Sequence, residues 1–299
     1  MKKWYSVVLS LVSGLAAQDA GPWAVQMPQT GLLPSYTKAT YIGRMGERHG
    51  DSHLGMQDYT VNIPFTDPYL SHLCAWSLNI QGNATVTLLD VGKQPELRRN
   101  EMYDISLPIT FIRPLRGEGE SIMLTIMPHM AGDMVHTGRS WEIAGMASYS
   151  GQLSKTFSYT LGIGCSPRFA DRVIMPYVSF TWQATPDWVV SLKGLKLSAM
   201  YKLTEKAMVG PGLTVEGGSW VVSTEQGQRH LRVRSLAAAV MFEYDFSQPG
   251  ERKRLITASL GSTLITSAAI CRRNAGHDSI STRHYKPGLL LSAGVDFRF

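Results

Sequence analysis

A strict alternation of apolar and polar side chains is the feature that most constrains this chain. From Thr156 to Gly164, every odd position carries a large apolar side chain and every even position a serine, threonine or glycine. Because successive side chains of a strand point to opposite faces, this pattern predicts a β-strand with one apolar face. The alternation recurs at 58–65, 104–112, 235–246 and 256–270. Its persistence over such long segments is typical of a membrane barrel rather than a soluble sheet.

The two faces of these strands predict which side chains meet lipid and which meet the lumen. In the 235–246 segment, Val240 and Phe242 belong to the apolar face, which we assign to lipid, whereas Ala239 and Met241 share the opposite face. In the 256–270 segment the lipid face includes Ile270. The charged residues that share the inward parity form a predicted lumen lining, as a salt-bridged interior or a narrow passage: Asp58, Asp104, Glu142, Glu243, Asp245, Asp296 and Arg298.

The amino-terminal residues predict export. A cationic start, an apolar run of about a dozen residues and small residues near Ala16 match a cleavable secretory signal, and the run is short of the ~20 residues that a spanning helix needs. We therefore expect a signal peptide at 1–16, an extended segment at 17–36 and the barrel at 37–299. Beyond residue 17, the densest apolar run is the short stretch 236–242, so any membrane span must use strands.

Turn-forming residues divide the chain into twelve to fourteen strands, of which fourteen is the favoured number. Short turns are predicted at 151–153, 185–187, 204–206 and 248–251, as in periplasmic turns. Longer polar stretches at 46–55, 91–100 and 272–284 are predicted to be outer loops. The expected fold is an all-β, transmembrane, antiparallel up-and-down β-barrel.

The closing segment is also amphipathic, and Phe297 and Phe299 lie on its apolar parity. An amphipathic last strand with an aromatic end is what outer-membrane barrels present to their assembly machinery. Together with the signal peptide and the alternating strands, it predicts a protein of the cell outer membrane of a Gram-negative bacterium.

Charge and cysteine content exclude several classes of protein. The formal charge is +6 with a pI near 9.2, but the Lys and Arg residues are scattered, so we predict no nucleic-acid partner. Basic loops instead suit an acidic lipid surface such as lipopolysaccharide. Three widely spaced cysteines, Cys74, Cys165 and Cys271, exclude a disulfide-rich scaffold and allow at most one bridge.

Three strand segments carry a resemblance to a known family. The core 186–192 with 195–202, the strand Tyr59–Pro64 and the strand Ile105–Pro108 are similar to an uncharacterised family of bacterial outer-membrane β-barrels, a domain-of-unknown-function family. The similarity extends over roughly 37–299. It implies a barrel and an outer-membrane location, and it implies no catalytic or binding residues.

We find no motif for catalysis, cofactor binding or metal binding. His129 shares a strand face with Ser121, but eight residues at about 3.3 Å each separate them far beyond hydrogen-bond reach, so a packed or hydrated histidine is expected. His277 and Asp278 lack the further ligands of a metal site. Met123 and Met175 share the inward parity and suit either lumen packing or an apolar ligand.

These features predict a porin-like channel or transporter for small or hydrophobic solutes, and not an enzyme. The alternatives are an occluded structural or surface-binding barrel that contacts lipopolysaccharide or a partner protein, and a membrane-embedded hydrolase. A barrel of twelve to fourteen strands lies between the sizes that side chains fill and those that leave a water channel, so size does not decide among them.

Overall fold

The computed structural model describes residues 34–65, 72–73, 76–92, 97–115, 119–135, 140–166, 173–224, 227–248, 254–271 and 279–298. The predicted signal peptide, Cys74, His277, Asp278 and Phe299 lie outside these residues. Among the described residues, no helix is long and apolar enough to cross a membrane. The strands are β1 (Pro34–Gly46), β2 (His53–Pro64), β3 (His72–Leu73), β4 (Trp76–Val91), β5 (Glu101–Ser106), β6 (Ile109–Pro114), β7 (Ser121–Gly132), β8 (Trp141–Ser154), β9 (Phe157–Ser166), β10 (Val173–Gln183), β11 (Trp188–Lys193), β12 (Lys196–Lys202), β13 (Ala207–Thr224), β14 (Gly227–Asp245), β15 (Arg254–Cys271), β16 (Ser279–Tyr285) and β17 (Leu289–Arg298).

The strands form one closed antiparallel wall, because β1 pairs with β2 on one side and with β17 on the other. Three positions of the wall are built from two segments each. β2 and β3 both pair with β4, β5 and β6 both lie between β4 and β7, and β16 and β17 both pair with β15. The 17 segments of the described chain therefore occupy fourteen positions. The predicted up-and-down barrel and its favoured strand number are confirmed.

The predicted short turns at 185–187 and 204–206 lie at one end of the barrel, and the predicted outer loops at 46–55 and 91–100 lie at the other. We call the end where β1 begins and β17 ends the turn end, and the opposite end the loop end. The turn end carries the short connections 184–187 and 203–206, and the loop end carries 47–52 and 92–100. In outer-membrane barrels, short turns face the periplasm and long loops face outward.

The predicted turn at Gly151 is wrong, because β8 continues to Ser154 and the turn falls at 155–156. Gly151 instead lies beneath two aromatic rings. A Cβ at this position would be 3.0 Å from the Tyr159 hydroxyl and 3.3 Å from the Tyr149 ring. The glycine therefore makes room for aromatic side chains within a strand, which is a known use of glycine in sheets.

The outer surface of the wall is apolar and ends in an aromatic band. Val240 and Leu260 are 57% and 58% exposed, as expected for side chains that contact lipid. At the turn end, Trp188 packs against Tyr201 with ring centroids 5.3 Å apart, and Phe297 packs edge-on against Phe246. Aromatic side chains at this level match the interfacial girdle of membrane barrels.

The predicted lipid-facing position of Ile270 is wrong, because β15 carries a bulge. Between Leu236 and Ala237 the register with β14 skips Leu264. A one-residue shift moves every following side chain to the other face. Leu264 and Ile265 are therefore both exposed, and Ile270 is buried inside the barrel.

Candidate functional site

The lumen at the loop end is filled by apolar side chains. Trp220, Val222 and Leu231 are each at most 3% exposed and pack with residues from across the barrel. We call this set the apolar plug, and its other members are Ile42, Met45, Leu54, Met56, Leu89, Met102, Ala131, Val233, Ala237, Ala239, Ala268, Ile270, Tyr285 and Leu290. Because the set is contiguous and buried, it closes this end of the lumen.

The end of β13 turns across the lumen toward β7 while it stays paired with β14 as far as Thr224. Gly217 has a φ of +125°, which glycine adopts readily and other residues rarely do. Beyond it, Val221 forms a parallel bridge with Gly132 of β7. A Cβ on Gly132 would lie 2.7 Å from the Val221 carbonyl oxygen, so glycine is needed for this approach. At the loop end, β13 and β7 thus close a shorter circuit that leaves β8, β9 and β10 outside it.

The crossing segment is held by a set of buried hydrogen bonds that we call the latch. The Ser223 amide donates to Asp133 Oδ2 at 2.6 Å, and the Asp133 amide donates to the Val221 carbonyl at 3.1 Å. The Arg98 amide donates to the Ser223 carbonyl at 3.3 Å. Asp133 is only 3% exposed. A charge-assisted bond in such a place contributes more than an ordinary one.

We predict that Gly217→Ala destabilises the barrel by more than about 1 kcal/mol, because alanine disfavours a positive φ. The new Cβ would also lie 2.2 Å from the Val233 carbonyl oxygen. Urea unfolding of the refolded barrel in lipid vesicles measures the change. Gly46→Ala is the control, since a Cβ there meets nothing within 4 Å. Equal stability of the two variants would contradict the role of Gly217.

Between the plug and the turn end lies a polar cavity of about 290 Å³. It extends from Tyr36 and Asp296 near the turn end to Trp220 of the plug. Charged groups of both signs line it: Lys38, Asp58, Asp104, Lys193, Lys196, Glu216, Glu243 and Asp296. Lys38 Nζ lies 3.1 Å from Glu216 Oε1, which links two strands across the lumen. The cavity is therefore a hydrophilic chamber with a closed outer end.

The predicted lumen charges fall into four groups. Asp58, Asp104, Glu243 and Asp296 line the cavity. Glu142 is the partner of His129 in the ladder between β7 and β8, nearer the loop end. Asp245 lies at the turn end, where its Oδ1 accepts the Ser247 amide at 3.0 Å. The backbone of Arg298 pairs with Pro34, and its side chain lies outside the described residues.

His129 has a partner on the neighbouring strand, an arrangement that the spacing along one strand does not reveal. Its Nε2 is 3.0 Å from Asp104 Oδ1, and the imidazole is buried. The cross-strand register places Ser106 beside His129 and Asp104 two residues further on. Asp104, which lines the cavity, is thus held by a side chain of the neighbouring strand β7. Lys38, Glu216, Lys193 and Lys196 also line the cavity but were not predicted to do so. The inward parity of Lys38 with Tyr36 and Thr40 is the signal that identifies the first of them.

The inward methionines lie where the parity places them. Met123, Met127 and Met175 are each at most 8% exposed, and Met146 and Met200 join them. Among the described residues, no group of three or more His, Cys, Asp or Glu side chains is placed to hold a metal ion. Cys165, which is exposed, and Cys271, which is buried, are both free thiols.

The fold and its lumen define a transmembrane β-barrel of the outer-membrane type. Residues 36–298 match the family described as domain of unknown function DUF6268, and the chain belongs to this family. The resemblance drawn from the strand segments is confirmed. None of the curated proteins matches the chain in sequence.

Several solved outer-membrane proteins are similar in structure, all at low identity. The COG4313 outer membrane channel from Pseudomonas putida F1 is 11% identical with a TM-score of 0.46, over 89% of this chain and 94% of that one. The Pseudomonas putida toluene transporter TodX is 8% identical with a TM-score of 0.34, over 93% and 92%. The KdgM porin is 7% identical with a TM-score of 0.32, over 88% and 99%.

Proposed function

We propose that this barrel is a gated passage for small solutes across the outer membrane. The observation that carries the proposal is a charged cavity directly beneath the apolar plug, to which the crossing segment contributes Trp220 and Val222. A barrel with a purely structural role has no need of a hydrophilic chamber of about 290 Å³. Here the chamber occupies the half of the lumen that faces the turn end.

The lining indicates how solutes interact with the passage. It includes five carboxylates and three lysine ammonium groups, and rings of charged side chains set the selectivity of many pores. The indole Nε1 of Trp220 lies buried with no hydrogen-bond acceptor among the described residues. A small solute with both polar and cationic groups fits such a chamber. We therefore expect an open state to prefer cations weakly.

Ion conductance in a planar bilayer is the experiment that tests the passage. The refolded, full-length protein should be silent for most of the recording and show rare, stable unitary steps, because the plug fills the outer lumen. The reversal potential in a salt gradient then reports the cation preference. Complete silence, from this protein and from variants with a weakened plug, would overturn the proposal.

The second candidate is an occluded barrel that binds at its surface, and the plug itself favours it. Exposed arginines at the loop end, Arg44, Arg48, Arg98 and Arg99, suit the phosphates of lipopolysaccharide. Both candidates assume export to the outer membrane and folding by the barrel assembly machinery, with Phe297 exposed on the closing strand. Binding to lipopolysaccharide, together with the absence of conductance in planar bilayers, would favour this candidate.

A further inference from the structure

The hairpin of β11 and β12 is too short to span the membrane. The two strands have 6 and 7 residues, whereas a spanning strand needs about 9–11. The ladder between β10 and β11 ends at the Phe180–Leu192 pair. β10 continues beyond that pair to Val173. The first seven residues of β10, 173–179, therefore extend beyond the hairpin toward the loop end. At the usual rise per residue of a strand, this length is roughly 20 Å.

The opposite side of this gap is β13, which also continues beyond the hairpin. Its ladder with β12 ends at the Lys196–Thr214 pair, and the segment from Gly217 onward bends into the lumen toward β7. In the described part of the chain, no strand lies between β10 and β13 above the hairpin. We call this gap the notch. Its edges are 173–179 and 215–220, because Val221 already bridges β7, and its floor is the turn Gly194–Leu195.

The notch lies at the depth of the hydrocarbon layer. Ile174 and Val178, on the outward face of the same β10 stretch, are 68% and 46% exposed, as side chains in contact with lipid are. An open sheet edge at this depth is costly where its polar groups meet hydrocarbon. Pro176, which has no amide hydrogen, lies on this edge. Pro176 therefore removes one backbone donor from this edge.

The notch leads inward to a narrow apolar slot of about 20 Å³. Its wall consists of Met146, Gly164, Met175, Pro176 and Tyr177, and its floor is the Gly194–Leu195 turn. The free volume is too small for a solute at rest. Methionine side chains are flexible and polarisable, so they adapt to apolar guests and contact aromatic rings favourably. Entry of a solute therefore requires these side chains to move.

Leu195 connects the slot to the chamber, because it lines both. We propose that the notch is a lateral portal through which small uncharged apolar molecules move between the hydrocarbon layer and the lumen, with Leu195 as the closing side chain. This inference rests on the proposed passage function and adds a second route and a substrate class. The lining fits a free apolar solute, since the slot offers no cationic group for a lipid phosphate.

Paired tryptophan variants of the full-length protein test the portal. Leu195→Trp fills the junction between slot and chamber, whereas Leu197→Trp places the same bulk on the lipid face, where Leu197 is 39% exposed. Gly164→Phe fills the slot from β9, and Ile163→Phe is its lipid-facing match. The probe is the uncharged dye 1-N-phenylnaphthylamine, whose uptake is followed by fluorescence in Gram-negative cells that make each variant. Heat-modifiable migration in gels verifies that each barrel is folded.

We expect the unmodified protein, Leu197→Trp and Ile163→Phe to raise the rate of dye uptake above that of cells without the protein. Leu195→Trp and Gly164→Phe should lose this increase. A folded Leu195→Trp or Gly164→Phe barrel with full uptake would overturn the portal, as would an unmodified protein that adds nothing.

Two further measurements distinguish the portal from the passage function and from lipid transfer. Conductance that persists while dye uptake is absent would remove the portal and leave the passage standing, whereas loss of both would remove the passage. Transfer of fluorescent phospholipid between leaflets of vesicles distinguishes an acyl chain from a free solute. Protein-dependent lipid transfer that Leu195→Trp blocks would overturn the assignment to a free solute.

Discussion

Replacement of Asp133 by alanine is expected to turn a mostly closed barrel into a conducting one. The substitution leaves the buried Ser223 amide without the carboxylate that it contacts at 2.6 Å. The loss of a buried partner of this kind costs about 1–3 kcal/mol. Since every 1.4 kcal/mol is a factor of ten, a change near 2 kcal/mol shifts the ratio of closed to open barrels by roughly thirtyfold. Planar-bilayer recording should show this as frequent unitary steps.

Two variants control for effects other than release of the latch. Asp51→Ala removes a carboxylate from an exposed loop at the same end and should leave the conductance unchanged. Asp133→Asn keeps an acceptor oxygen without the charge, so its open probability should fall between those of the unmodified protein and Asp133→Ala. If Asp133→Ala is folded and as silent as the unmodified protein, then the latch does not hold the passage closed, and an occluded barrel becomes the better interpretation.

The wall of the barrel was predictable because each strand carries its own orientation in its sequence. The alternation at 156–164 and 235–246 requires no knowledge of neighbouring strands, and the structure gives both segments the predicted faces. The prediction fails where a neighbour changes the register. Ile270 changes face because of the bulge at Leu264, which the sequence marks only by the consecutive apolar residues Leu264 and Ile265.

The lumen was less predictable, because it depends on contacts between strands that are distant in sequence. Asp58 and Asp104 were found by parity alone, but the cross-strand partner of His129 required the register of β5 against β7. The inward path of β13 depends on Gly217 and on the bridge between Val221 and Gly132, which lie far apart in the sequence. A glycine permits a bend, but a bend does not specify which strand a segment will reach.

Replacement of Leu260 by arginine is expected to prevent the barrel from assembling in a membrane. Leu260 is 58% exposed in the apolar belt, and arginine at mid-bilayer costs about 2–4 kcal/mol on the lipid face. Ser259→Arg is the matched control, because Ser259 is the preceding residue on the same strand and lines the polar cavity. Its arginine meets the carboxylates of the chamber instead of hydrocarbon.

Folding yield in lipid vesicles, followed by heat-modifiable migration and by urea unfolding, measures both substitutions. The informative quantity is the difference in folding yield between Leu260→Arg and Ser259→Arg, because each variant gains one arginine and the two positions are adjacent. A large loss at 260 with a small one at 259 requires lipid on one face of β15 and water on the other. Equal tolerance at the two positions would mean that the apolar belt does not contact lipid, and the notch between β10 and β13 would then have no hydrocarbon layer to open into.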